Sequence, residues 1–496
     1  MEGPCTTCFS AKHSFGDKRL DDRLYQTFNH MSRRPTGTLP QKLAGRARLV
    51  GGYRMFNNPK VTHQAILKAH QASCLERLKG YQDKACNVSS ACNISSVSQV
   101  LKVLTLHDTT VLDYSGLDVE GLGQVGDGHG RGLYAHNSLM VIPATRQVVG
   151  LFNQILHKRA QAPKGELRKT RAERPDRESR LWTQAVAGLP AMPPGIQLID
   201  VSDRGSDISE YLCHAVAAGR QFIVRSQHNR NLVDHLDPWG DPQIEKLHDH
   251  LRGLSPMGQY KLRVPAQEGG GSGGSGGSGG WREASMAIAF ARVKVQPPRQ
   301  ARGQHGREPL ELWGVIAREI GAPPGATPVK PAEPLEWILL TNQPVVSAQQ
   351  AKEVVADYAC RWMIEDYHKA LKSGCGIEEM QMTTLHGLSN AIALLSVLGV
   401  HVLRLRCNAR DQEIREQPAR LHEDPLKVQL AARDAKHPDW KTMTVFAFYI
   451  AVARLGGYVL NPHKRPPGWI VLWRGYIRLE DMCEGVRLMG ERCVQT

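Results

Sequence analysis

The spacing of hydrophobic positions changes several times along the chain, and each change marks an element. Residues 10–80 have helical spacing. They run through "FGDKRLDDRLYQTFNHM", a basic turn "SRRPTG", and "NNPKVTHQAILKAHQASCLERL", whose Asn/Pro start opens a helix. From residue 101 the period is that of strands. "LKVLTLHDTTVLDYSG" predicts a strand, a turn and a second strand, and "LYAHNSLMVIP" and "RQVVGLFNQIL" predict the next pair. "SRLWTQAVAGL" predicts a helix, "GIQLIDVSDRG" a buried strand ending in polar residues, "SDISEYLCHAVAAG" a helix with a Ser cap, and "QFIVRS" a strand. Strands followed by αβ alternation imply a mixed sheet with helices packed on it.

Residues 227–335 break this rhythm. "QYKLRVP", "SMAIAFARVKVQ" and "LELWGVIAREI" are β-like, with Met286, Ile288 and Phe290 in alternation. Between them "GGGSGGSGGSGG" (269–280) is a flexible coil. The stretch predicts a β-rich insertion in an α/β domain. "EWILLTN" (336–342) returns to the sheet, "DYACRWMIEDYHKALKSG" (357–374) reads as one helix, and residues 385–496 are mainly helical. The apolar run "NAIALLSVLGVHVL" (390–403) is too short to span a bilayer and predicts a buried core helix. The small duplication "ACNVSSACNISSV" (85–97) predicts a loop.

Charge adds a partner class. The chain of 496 residues, long enough for several domains, carries a formal net charge of +15, which favours a polyanion. Residues 1–80 hold 14 Lys and Arg against 5 Asp and Glu, so this segment is the first candidate for DNA contact. Eleven scattered cysteines and no signal pattern point to the reducing cytoplasm, with the protein associated with the nucleoid.

On a continuous helix over 357–374, Tyr358, Arg361, Trp362, Glu365, Lys369 and Lys372 would share an arc of roughly 100°. One carboxylate among cations and aromatic rings suits an anionic ligand better than a surface of Glu–Lys pairs, although an ordinary amphipathic helix also splits this way. Asp108 follows "VLTLH" and Asp203 follows "LIDVS", so both carboxylates should emerge at strand ends. Each alone could serve a turn. With Glu365 they make a strand–strand–helix triad of oxygen donors for magnesium. Two Mg2+ ions, with Mn2+ as a substitute, can activate a water or hydroxyl and stabilise the leaving oxygen in phosphoryl transfer.

Other motifs are weaker. "GLGQVG" (121–126) is followed by a glycine turn and a strand instead of a helix, which excludes a dinucleotide site. Cys5-Thr-Thr-Cys8 has no second pair at finger spacing, and His107 beside Asp108 suits packing or DNA contact better than metal ligation.

Tyr358, Arg361, Glu365 and Lys372 have the spacing of the Y-R-E-K signature. The chain also carries "HDTTVLDY", "SDRGSDISEYL", "FIVRSQHNR", "EWILLTNQPV", "AVARLGGY", "WIVLWRGY", "FGDKRLDDR" and "GGYRMFNNPKVT". In these segments, which cover nearly the whole chain, it resembles the bacterial cut-and-paste DDE transposases of the insertion-sequence-four family. The resemblance implies a ribonuclease-H-like core with Asp108, Asp203 and Glu365 as metal ligands. It implies that Tyr358, Arg361 and Lys372 hold the phosphates of the transposon end, and that Trp337, 21 residues before Tyr358, stacks a flipped base. Lys369, Trp362, Arg204, Arg225, His228, Arg230 and Arg54, in or beside the shared segments, and Arg33 and Arg34, in the basic turn of residues 1–80, are further candidates for DNA contact.

The implied organisation is a DNA-end-binding region (1–80), a core in two parts (101–226 and 336–384) interrupted by the β-rich insertion, and a C-terminal dimerisation region (385–496). The implied partners are double-stranded DNA, as transposon ends and target, and a second copy in a paired-end complex, with no membrane. The stripe Trp469, Leu472, Tyr476, Leu479 and Cys483 is the candidate dimer face, with a core role as its alternative. A non-catalytic inhibitor that keeps the fold and a purely hydrolytic two-metal nuclease are the competing functions.

Overall fold

The computed structural model describes residues 8–9, 15–91, 100–159, 165, 174, 176–233, 235–236, 242–243, 245–265, 281–298, 308–321, 334–409, 411–459 and 467–493. Cys5, the Gly/Ser tract and residues 92–97 of the duplication lie outside them.

In chain order the elements begin with helices α1 (Lys18–Arg33), α2 (Leu39–Leu43), α3 (Arg46–Phe56) and α4 (His63–Ala91). Strands β1 (Leu101–Asp113), β2 (Gly123–Val125), β3 (Gly130–Ile142) and β4 (Gln147–His157) follow. Next come α5 (Leu181–Ala187), β5 (Ile196–Ser202), α6 (Ser209–Ala217), β6 (Gln221–Arg225), a short hairpin of β7 (His235–Leu236) and β8 (Pro242–Gln243), and α7 (Leu247–Gly253). Strands β9 (Gly258–Pro265), β10 (Trp281–Val295), β11 (Leu310–Glu319) and β12 (Glu336–Thr341) precede α8 (Ala348–Ala359) and α9 (Trp362–Lys369). The chain closes with α10 (Leu385–Asn408), α11 (Pro425–Asp434), α12 (Val445–Leu455) and α13 (Trp469–Cys493).

These elements form two compact units. The first comprises Met1–Glu178, Ala187–Gln197 and Trp362–Thr496, and the second Ser179–Val186 and Leu198–Arg361.

In the first unit β3 pairs antiparallel with β1 and with β4. The expected turn inside "LKVLTLHDTTVLDYSG" is absent, and β1 is one strand of 13 residues. Thr109, Thr110 and Val111 are β-branched and extend the pleat where a turn would need Gly, Asn or Pro. Asp108 therefore sits in mid-strand, opposite Asn137 of β3. The duplication also departs from expectation, because α4 continues through its first half to Ala91. Ile66, Leu67, His70, Cys74 and Leu78 bury the helix upstream, and extending a packed helix needs no new nucleus. Helices α4 and α10 both pack on β4. Among the described residues α10 is the one helix long and apolar enough to cross a membrane, and 82% of its apolar window is buried in the protein.

The C-terminal helices fold onto themselves. Leu472, Tyr476 and Leu479 of α13 share a core with Val428 of α11 and Phe448 of α12, and Cys483 is equally buried. That stripe is core in this fold and not a free dimer face; the side chain of Trp469 lies outside the described residues. A methyl group on Gly475 would stand 1.7 Å from the Val452 carbonyl oxygen, so glycine is what lets α13 approach α12 so closely.

Lys427 is buried at this junction. It donates to Tyr476 Oη at 3.0 Å and to Glu480 Oε1 at 3.4 Å, while Thr36 Oγ1 donates to Glu480 Oε2 at 3.0 Å. Burial raises the Glu480 carboxyl above its usual range, and Lys427 opposes the rise. Lys427→Met would strand this carboxylate and should cost about 3–5 kcal/mol. A carboxyl with a raised folded-state pKa contributes stability that is present below its unfolded value and lost as pH rises through the folded one. Urea melts should therefore show the variant less impaired at pH 5 than at pH 8, and equal losses would contradict the pairing.

In the second unit the strand order is β5-β6-β12-β11-β10-β9, with β5 and β6 parallel and the other pairs antiparallel. Strands β9–β11 thus extend the sheet that contains β6 and β12. Trp182, Tyr211, Leu212, Leu247 and Leu251 from α5, α6 and α7 cover Val224, Ala289, Ile316 and Leu340 on one face. Helix α8 packs on β6, β10 and β11.

Candidate active site

Two of the three expected carboxylates, Asp108 and Glu365, belong to the first unit, and Asp203 to the second. Helix α9, which carries Glu365, packs against β1, which carries Asp108. Three residues beyond Glu365, and so on the same helix face, His368 places Nδ1 3.8 Å from Asp108 Oδ2. The other oxygen of Asp108 accepts the Thr109 backbone N–H at 2.8 Å.

Behind this pair lies a buried polar chain. His368 Nε2 is 3.0 Å from Asn137 Nδ2, whose carbonyl oxygen accepts from Gln154 Nε2 at 2.7 Å. Gln154 also donates to Ser396 Oγ at 2.8 Å and faces His63 Nε2 at 3.0 Å. His107 and His136 stack nearby, hydrogen-bonded to Ser138 and Thr109. Burial, reinforced by His107 and His368, holds His136 far below its usual pKa and keeps it uncharged. His107 fits the packing role expected of it.

In the second unit Asp203 follows β5, half-buried, and caps a 3-10 turn by accepting the Gly205 N–H at 2.9 Å. Arg204 and Arg361 flank Arg225. Burial lowers Arg225 from the usual guanidinium range, Tyr358 draws it back up, and the two neighbouring arginines push it down further. Three like charges gathered at Arg225 favour an anion.

Tyr358 is 2% exposed and meets the Trp337 ring edge-on, with centroids 5.4 Å apart. Trp337 is itself only 5% exposed, which corrects the expectation of a ring presented to a flipped base: here it packs against Tyr358. Arg230 also departs from a DNA-contact role, because its guanidinium is buried and donates to Asp207 Oδ1 at 2.5 Å. Asp207 further accepts the N–H groups of Gln227 and His228, which leaves the His228 side chain exposed on a braced loop.

The expected single helix over 357–374 is broken. Helix α8 ends at Ala359, a turn covers Cys360 and Arg361, α9 runs to Lys369, and a π-helical turn follows over Ala370–Gly374. The break falls where the chain passes from one unit to the other. No Gly or Pro marks it; tertiary packing overrides local propensity. Tyr358 and Arg361 therefore do not share a helix face with Glu365, Lys369 and Lys372. Lys369 is exposed, Lys372 pairs with Glu378 at 3.1 Å, and the Trp362 ring is 49% exposed.

A second basic surface lies between α1 and α3. Arg19, Arg23, Arg46 and Arg54 line a groove of about 670 Å³ with Leu20, Val50 and Met55. Arg33 is exposed, and Arg34 pairs with Asp481 at 3.5 Å. Of the groove's arginines, only Arg54 was among the sequence candidates; the helical spacing of Arg19 and Arg23 was the available signal for the others.

The donor types suit a hard divalent cation, since Asp108 and Glu365 offer carboxylate oxygens on adjoining elements and the Asp108 side chain is 20% exposed. Within each unit, the described residues contain no group of three or more His, Cys, Asp or Glu side chains placed to hold a metal ion.

Residues 9–61 match the family model for transposase DNA-binding, and residues 203–403 match the model for the transposase DDE domain. The first spans α1–α3 and the arginine groove. The second begins at Asp203 and includes Glu365, leaving Asp108 outside the matched range. The chain is thus an enzyme that binds DNA and cuts and joins it. It is a DDE-type transposase, and DDE domains generally use divalent metal ions.

Proposed function

We propose that the enzyme acts on the inverted-repeat ends of a mobile element, nicks them, closes and resolves a hairpin, and joins the freed 3′-OH ends to target DNA. The observation that carries this reading is the packing of α9, which bears Glu365, against β1, which bears Asp108, within a chain that also carries a DDE domain. Asp108, Asp203 and Glu365 would hold Mg2+, two ions per site, with Mn2+ able to substitute, as the resemblance implies. Bound there, the metal would supply charge stabilisation for the attacking and leaving oxygens.

The Arg204, Arg225 and Arg361 cluster, with Tyr358, clamps phosphates of the end, and Lys369, Lys372 and His228 contribute further contacts. The resemblance in the segments quoted above supports the insertion-sequence-four type, close in pattern to the Tn-five transposase. A second copy completes the paired-end complex on the nucleoid, and the outward face of α13, with Ile470, Val486, Leu488 and Met489 exposed, supports such pairing.

The arginine groove supplies the test of end binding. Replacing both Arg23 and Arg54 with alanine removes two phosphate contacts, so the slope of log affinity against log salt should become shallower by about 1.8, or 0.9 per contact. Gel shifts on the terminal repeat across a salt series measure it. An unchanged slope would remove the groove from the interface.

A further inference from the structure

The polar chain behind Asp108 has a fixed direction. The Ala135 carbonyl oxygen lies 3.2 Å from Asn137 Nδ2, and a carbonyl can only accept. The amide nitrogen of Asn137 must therefore face it, and its second hydrogen goes to His368 Nε2 at 3.0 Å. The Asn137 oxygen then accepts from Gln154, in agreement with the 2.7 Å contact. Gln154 Oε1 in turn accepts from His63 Nε2. Every link agrees with the others.

The consequence falls on His368. A neutral imidazole has one proton, and with Nε2 accepting, that proton is on Nδ1, the atom that faces Asp108 Oδ2 at 3.8 Å. A protonated Nδ1 cannot ligate a metal, which separates His368 from the carboxylates beside it. The 3.8 Å approach is longer than a hydrogen bond and within reach of one on a small side-chain adjustment.

Resting on the reading of Asp108 as a metal ligand, we propose that His368 is a positioning residue: Ala135 and Asn137 lock its tautomer so that Nδ1–H orients the Asp108 carboxylate. Partners that hold a ligating carboxylate commonly govern metal affinity. The anchor is a strand backbone, since Asn137 is the direct register partner of Asp108. The chain continues through β4 to α4, so the orientation of Asp108 is tied to the helix that follows the DNA-binding segment.

The test measures Mn2+ binding to the full-length protein by electron paramagnetic resonance, with thermal melting as a fold control. His368→Leu should weaken Mn2+ binding about 10–100-fold. His368→Asn, which returns an N–H donor near the position of Nδ1, should recover most of it. If His368→Leu binds Mn2+ as the parent does, or if His368→Asn is as weak as His368→Leu, the positioning role is wrong.

Asp108→Asn separates the two levels. Weakened Mn2+ binding there with no effect at His368 overturns this proposal alone; no effect at Asp108 overturns the ligand assignment and the proposal with it. If His368→Leu fails to fold, the ¹⁵N resonances of the imidazole in the parent protein decide. A protonated Nδ1 with an unprotonated Nε2 is expected, and the opposite tautomer excludes the proposal.

Discussion

Alanine at Asp108, Asp203 or Glu365 should reduce strand cleavage by about 10³-fold or more while end binding stays near the parent level. A divalent ion supplies several kcal/mol of charge stabilisation in phosphoryl transfer, and each 1.4 kcal/mol or so is a factor of ten in rate. In the proposed reading the phosphate contacts reside elsewhere, in the groove between α1 and α3 and in the arginine cluster at Arg225. Removing a carboxylate from a basic protein does not weaken those contacts. Asp108 and Asp203 are only partly buried, so truncation leaves no large cavity. Nicking gels run beside gel shifts measure both quantities, and a parallel loss of binding and cleavage would refute the assignment.

The second large effect is at Trp337, where alanine should cost about 3–5 kcal/mol of stability. The ring is nearly enclosed, stands in β12 opposite Ala317 of β11, and packs on Tyr358. Its loss would leave a cavity beneath the arginine cluster, so nicking and hairpin closure should fall together as folded protein is lost. Trp362 makes the contrast. Half of its surface is exposed, so its truncation should change stability by no more than about 0.5 kcal/mol. Stacking of an extruded base on an exposed indole offsets roughly 1–3 kcal/mol of unstacking. Trp362→Ala should therefore spare nicking and slow hairpin closure. Urea melts together with product gels distinguish the two tryptophans. A stable Trp337→Ala protein arrested after the nick would give the stacking role back to Trp337.

Much of the architecture was readable in the sequence because period is a local property. The strands at 130–142, 147–157, 196–202 and 310–319 follow their apolar patterns closely. What was hidden depended on pairing. Asp108 looked like a strand-end residue because "HDTT" reads as a turn, yet ten consecutive pairs with β3 hold it in mid-strand. The break at Cys360–Arg361 has no Gly or Pro to mark it in the sequence, and it falls at the boundary between the two units.

The site shows the same limits. Spacing placed Glu365 and Lys369 one turn apart on a helix, as they are on α9, but it also put Arg361 on that helix, from which the break removes it. Asn137 and Gln154 went unnoticed because they meet His368 only through the register of β1, β3 and β4, which sequence does not display. His368 carried a signal, its place three residues after Glu365. Trp337 was assigned to DNA by its position in the family pattern and Arg230 by its place in a shared segment. Burial, which depends on tertiary packing, gives them to the core.

A strand-transfer assay separates a chain that joins DNA from one that only cuts it. A pre-cut duplex bearing the terminal repeat, labelled at its 3′-OH end, is incubated with the full-length enzyme, Mg2+ and a supercoiled plasmid. The parent protein should join the label covalently to the plasmid, and Asp108→Ala should join none. Release of hydrolysed fragments by the parent, with no joined product at any Mg2+ concentration, would contradict it and leave a nuclease in its place.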